Sequence, residues 1–238
     1  MMKDSIAVIT YDYPHRKTQD VVFGLKALYD SEVTLLALPF VLREKRHQPI
    51  YKHRPSDAYP VFPEDLAHNF GFSYRKVEKD NLSKILSEIN PTATLIAGAG
   101  ILPENVVNEF PIINSHPAYL PDVRGLDALK WAIYYQKKIG VTSHIVNARA
   151  DAGKLINRVE VPIFEQDTFH AIAYRQYRIE IDLLIESIQT LKTKDIKELP
   201  ALEEIGEVHR RMPSSIEKDL LSYFEIYKKN YCKENSVQ

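Results

Sequence analysis

Cysteine is almost absent from this chain: Cys232 stands alone. A disulfide within the chain is therefore excluded, and so is a four-cysteine zinc site. Excess charge of either sign is missing too. Lys plus Arg number 31 and Asp plus Glu 32, a formal net charge of -1, which leaves no electrostatic case for broad nucleic-acid binding. No apolar run approaches membrane-spanning length, and repeats and low-complexity tracts are lacking. The opening residues, Met1 to Ser5, run into a strand-like segment without a signal-peptide pattern. The expectation is a cytoplasmic protein with no membrane and no nucleic-acid partner. What is plentiful is apolar residues, 45% of 238, enough for a substantial core.

Short β-rich runs alternate with helical patterns along the sequence. Ser5–Tyr11, Val33–Leu38 and Thr92–Ala97 read as strands buried on both faces, with Phe72–Val77 a further candidate. A helix is expected from Thr18, with Val21, Val22, Leu25 and Leu28 inward, and another over Leu82–Ile89 with Asn81 as its N-cap. The stretch from Pro39 to Pro63 reads as irregular, broken by Pro49, Pro55 and Pro60. Pro111–Asn114 reads as a short strand. Further on, the pattern predicts a helix over Asp127–Gln136, strands over Val141–Val146 and Leu155–Val161, a long helix over Phe169–Leu191, and a capped helix over Ser215–Tyr231. This alternation implies an α/β fold with a doubly wound, mostly parallel, Rossmann-like sheet and a C-terminal helical extension. A domain over residues 1–200 and an extension over 201–238 follow. The apolar residues of that extension, Leu220, Leu221, Tyr223, Phe224 and Tyr227, suit a dimer surface or a core of their own. A homodimer is expected.

In doubly wound sheets ligands bind beyond the carboxyl ends of the strands. Asn114-Ser115-His116-Pro117 falls at such an end, and Asp151-Ala152-Gly153 follows downstream. An amide, an imidazole and a carboxylate are thus available to one carbonyl. Asn114 and a protonated His116 can each donate to a developing oxyanion, and such a donor typically contributes roughly 3 kcal/mol. Asp151 is a natural partner for the imidazolium and an acceptor for a departing proton. Each residue taken singly also has a turn or packing explanation. His144 reads as a hydrogen-bonded core histidine rather than a metal ligand, and Trp131 as helix packing. No metal site is expected. Gly98-Ala99-Gly100-Ile101-Leu102-Pro103 follows a strand, but Pro103 stands where a dinucleotide fingerprint needs glycine, so a tight turn suffices.

The ordered set Asn114, His116 and Asp151, spaced by Leu120-Pro121-Asp122-Val123-Arg124-Gly125, Trp131-Ala132-Ile133 and Gly140-Val141-Thr142-Ser143-His144, resembles the catalytic half of the folate-dependent formyltransferases. The resemblance covers Thr92 to Phe164. It implies transfer of a formyl unit from N10-formyltetrahydrofolate to an amine, with Asn114, His116 and Asp151 catalytic and no covalent intermediate. It also implies folate contacts from Gly100, Ile101 and Leu102, and from Asn147, Ala148 and Arg149. Gly125 is expected to supply a special backbone conformation. Arg124 suits a substrate phosphate or a neighbouring carboxylate equally well.

The acceptor is read from departures. Tyr11-Asp12-Tyr13-Pro14-His15-Arg16-Lys17-Thr18 holds no glycine, unlike the phosphate loop of the glycinamide ribonucleotide enzymes. The residues after Pro200 look helical, unlike the β-barrel of the methionyl-tRNA enzymes. What remains resembles the sugar N-formyltransferases of surface-polysaccharide (O-antigen) synthesis, which take dTDP- or UDP-linked amino sugars; dTDP-4-amino-4,6-dideoxyglucose is the first candidate. His15, Arg16 and Lys17, with Lys52, Arg54 and Arg124, are the expected substrate contacts, and Arg43, Lys45, Arg46 and His53 add to the basic cluster. Tyr51 and Tyr59 are candidates for stacking. The alternatives are a formyltransferase for another small amine, glycinamide ribonucleotide or an amino acid, and a non-catalytic nucleotide-binding module.

Overall fold

The computed structural model describes residues 4–41, 47–55, 61–148, 153–203 and 207–232. The chain runs β1 (Ser5–Tyr11), α1 (Arg16–Leu28), β2 (Glu32–Leu38), α2 (Pro63–Phe70), β3 (Ser73–Lys76), α3 (Leu82–Ile89), β4 (Ala93–Ile96), α4 (Glu104–Glu109) and β5 (Ile112–His116). It continues through β6 (Arg124–Gly125), α5 (Ala128–Tyr134), β7 (Gly140–Val146), β8 (Gly153–Glu160), α6 (Phe169–Thr193), β9 (Val208–His209), α7 (Ser214–Glu217) and α8 (Leu220–Tyr231). The main sheet has the order β3-β2-β1-β4-β5-β7-β8. β1 to β5 run parallel to one another, whereas β7 pairs antiparallel with β5 and β8 antiparallel with β7.

The continuous apolar run of β1 is explained by its central place. Ile6 and Val8 face one core with α1 and α6, and Ala7 and Ile9 face another with α3 and α4. A third core gathers α5, the start of α6 and the C-terminal helices around Leu129, Phe169, Met212 and Phe224. α7 and α8 therefore pack inward: Leu220, Phe224 and Tyr227 are buried, and the Tyr227 hydroxyl accepts from the Ile139 N–H at 3.1 Å. No helix among the described residues is long and apolar enough to cross a membrane.

Several expectations need correction. Pro63 does not close an irregular stretch but opens α2, with Pro at the first turn, where its missing N–H costs nothing. α4 is a short helix that the sequence pattern hides. The helix expected over Ser215–Tyr231 is two helices, broken at Lys218 and Asp219. The break lets Glu217 turn onto the buried Lys130 while Leu220 enters the third core. No side-chain cap starts α7, and Asn81 precedes α3 without a capping bond.

Candidate active site

β5 carries the polar pair. Residues two apart on a strand face the same way, so Asn114 and His116 look out on one side while Ser115 is buried between them. Pairing with β7 sets Asn114 opposite His144 and His116 opposite Thr142. The chain after His116 is tied down. Thr142 Oγ donates to the Ala118 carbonyl at 2.8 Å and accepts from the Leu120 N–H at 3.1 Å. Gln176 of α6 donates to the carbonyls of Pro117 and Gly140, each at 3.0 Å.

Two cavities meet at this pair. One, of about 500 Å³, is lined by His15, Arg16, Lys17, Arg54, Tyr177 and Glu180 as well as Asn114 and His116. The other, of about 580 Å³, again takes Asn114 and His116 as wall, with Gly100, Ile101, Leu102, His144, Asn147 and Ala148. Four of the six expected substrate residues, His15, Arg16, Lys17 and Arg54, thus surround one cavity. Five of the six expected folate residues line the other. Arg149 and the third catalytic candidate, Asp151, lie outside the described residues, as do Arg43, Lys45, Arg46 and Tyr59.

Three other expectations are corrected. Lys52 is exposed and lines neither cavity, whereas Tyr51 and His53 on either side of it are half-buried. Arg124 is buried in β6, which pairs with β9, and it lines neither cavity. Tyr51 packs its ring against Phe169, 6.1 Å between centroids, rather than offering it to a ligand.

The first cavity is electrostatically organised by residues that sequence reasoning missed. Glu180, buried on α6, pairs with Lys17 at 2.9 Å and with Arg54. Burial pushes its carboxyl upward, but Arg54 and Lys17 outweigh that and hold it down at about 2. Lys17 Nζ also donates to the Ser115 carbonyl at 3.2 Å, joining α1 to the strand of the polar pair. Arg16 pairs with Asp20 at 2.9 Å, and Asp20 accepts from the Tyr177 hydroxyl at 2.7 Å. Burial, and then Asp20, raise the Tyr177 phenol well above its ordinary range. Lys17, Arg16 and Arg54 face Glu180 and Asp20, so one positive charge is in excess. The available signal was a lone Glu180 among Tyr177, Ile181, Leu184 and Ile188, on the apolar stripe of a long helix.

Behind His116 lies a further polar network. His53 Nε2 is 4.0 Å from Asp127, which also meets Arg211 at 3.4 Å and the Met212 N–H at 3.1 Å. Burial, with Arg54 and Lys130, pushes the His53 imidazole down to about 4. Among the described residues no cluster of three metal-ligating side chains occurs. His144 is buried opposite Asn114 and borders the second cavity. Trp131 donates its indole N–H to the Arg210 carbonyl at 2.8 Å.

Comparison with known proteins gives this geometry a context. A methionyl-tRNA formyltransferase from Koribacter versatilis is 33% identical over 147 residues, covering 59% of this chain and 47% of that protein. The chain spans about half the length of the curated relatives it matches. Among solved structures, glycinamide ribonucleotide transformylase 1 from Symbiobacterium toebii superposes with a TM-score of 0.59 at 21% identity, covering 85% of this chain and 95% of that one. A sugar N-formyltransferase from Shewanella sp FDAARGOS_354 gives a TM-score of 0.57 at 20% identity, covering 87% and 75%. These structures share the fold. A family described as formyl transferase matches residues 41–188, more than half of the chain, so the protein belongs to the formyl transferase family.

Proposed function

We propose that the protein transfers a formyl group from N10-formyltetrahydrofolate to the amine of a nucleotide-linked amino-deoxy sugar. The observation that carries this reading is the wall of Asn114 and His116 common to two cavities. A donor on one side and an amine on the other would meet there. The second cavity suits a flat heterocycle: its volume falls within the usual range for small-ligand sites, and its lining is apolar with a few polar groups. Gly100, Ile101, Leu102, Asn147 and Ala148 would hold that ring. When bound, the folate supplies a formamide-like carbonyl. Asn114 then donates its amide N–H toward the carbonyl oxygen, and His116, protonated, donates from the same strand face. Asp151 is assigned orientation of His116 and acceptance of the amine proton, on the resemblance of the Asp151-Ala152-Gly153 motif.

The acceptor side is supported by charge. His15, Arg16, Lys17 and Arg54 surround the first cavity with one positive charge in excess, which suits an anionic substrate such as a dTDP- or UDP-linked sugar. A glycine-free turn between Tyr11 and Thr18 separates it from a phosphate loop of the glycinamide ribonucleotide type. The decisive assay supplies formyl donor with dTDP-4-amino-4,6-dideoxyglucose and related amino-sugar nucleotides. Consumption of one of them is expected. Turnover of glycinamide ribonucleotide, with all sugars untouched, overturns the assignment. Similarity to methionyl-tRNA formyltransferases favours a second acceptor, an aminoacyl-tRNA. The balanced net charge argues against it, and methionyl-tRNA in the same assay decides.

A further inference from the structure

The segment after β9 does more than finish the chain. β9 pairs in parallel with β6, and the Leu126 N–H donates to the His209 carbonyl at 2.8 Å. The His209 ring stacks on Trp131 with 4.8 Å between centroids. The indole N–H of Trp131 holds the Arg210 carbonyl, and Met212, fully buried, is tied through its N–H to Asp127. The backbone at Arg210 is therefore held from both sides, which places the residue, with Val208 and His209, on the rim of the second cavity. Among the described residues lining that cavity, Arg210 is the one carrying a permanent charge. Its neighbour Arg211 is engaged by Asp127 at 3.4 Å, whereas no described carboxylate pairs with Arg210. Lys79, the other cation near this mouth, donates its ammonium to the Ile101 carbonyl at 3.2 Å.

We infer that Arg210 is an anion anchor for the donor, holding a carboxylate of its glutamyl tail at the mouth of the cavity and so favouring tailed over tail-less pteridines. The inference rests on the folate reading given above. Its chemistry is simple. A folate is a neutral heterocycle joined to an acidic tail, and a largely apolar cavity with a cation at its rim complements both ends. An arginine fork suits a carboxylate better than a lysine does, because two N–H groups can engage both oxygens. Nothing in the sequence of the catalytic half contains this residue, since it arrives from beyond α6 on the β9 strap.

Calorimetric titration tests it without any acceptor. The probes are 5-formyltetrahydrofolate and the carboxamide of 5-formyltetrahydropteroic acid, which share the pteridine and aminobenzoyl groups, the second carrying no carboxylate. The wild-type protein is expected to bind the tailed compound about fivefold more tightly, the scale of one solvent-facing ion pair, with the preference shrinking as salt rises. Arg210→Ala should bring the ratio close to one by weakening only the tailed ligand, and Arg210→Lys should keep part of it. Arg210 is exposed, so the urea midpoint of each variant serves as the folding control. A preference that survives Arg210→Ala, or that disappears in Lys79→Ala instead, overturns the anchor while leaving the donor site intact. Failure of both compounds to bind the wild-type protein overturns the donor reading and the anchor with it.

Discussion

Asn114 and His116 sit two residues apart on a strand whose register is fixed by seven-stranded pairing, so each can be removed without disturbing the other's backbone. Asn114→Ala should lower kcat/KM by about 10²–10³-fold, the usual effect of deleting one donor to a developing oxyanion. His116→Asn and Asp151→Asn should act comparably, each with an unchanged urea midpoint; steady-state kinetics beside denaturation separate the two effects. Glu180 yields a prediction in pH. Its carboxyl is held at about 2 in the fold against an ordinary 4.5. A depressed carboxylate contributes stability that is fully present above pH 4.5 and is lost as pH falls toward 2, here on the order of 3 kcal/mol. His53, held near 4, titrates in the same direction between its ordinary 6.5 and 4. Urea unfolding from pH 7 to pH 2 should therefore slope less steeply below pH 4.5 in Glu180→Gln than in the wild type. At this scale the sequence spoke through motif order: Asn114, His116, Gly100 and Asn147 could be named because their spacing resembled a family. Glu180, Tyr177 and Arg210 could not. Their placement depends on which helix or strap brings them to the cavity, and the placement of Lys52 and Arg124 away from both cavities was hidden for the same reason.

Among the elements, the two-residue strands β6 and β9 repay the closest look. Gly125 has φ near +92°, and a Cβ there would lie 2.2 Å from the His209 carbonyl oxygen. Gly125→Ala should cost about 1–3 kcal/mol and lift the β9 strap off the second cavity. A lower thermal midpoint together with weaker binding of a folate analogue would mark both effects. The long elements were legible. β1, β2 and α6 declare themselves through apolar runs or helical spacing, because burial on both sheet faces favours a continuous apolar composition in the strands. Short elements were not. α2 begins at a proline within a proline-rich stretch, α4 has six residues, and β6 and β9 have two each. So few residues carry no period to read, and only tertiary contacts define them.

At the level of the whole molecule, the C-terminal helices are part of the fold that holds the site. Phe224 lies in the same core as Leu120, Leu129 and Phe169, immediately behind the loop that follows His116. Phe224→Ala should destabilise the protein by about 3–5 kcal/mol. Chemical denaturation should show one cooperative transition shifted as a unit, whereas early melting of the C-terminal region alone would contradict a shared core. The partition formed by Asn114 and His116 has a last consequence, kinetic in nature. With a chamber on either side of one thin screen, and no exposed serine or cysteine side chain on it among the described residues, Ser115 being buried, the proposed transfer requires both partners to be aboard before anything is handed across. Double-reciprocal plots at several fixed levels of the co-substrate should then intersect rather than run parallel.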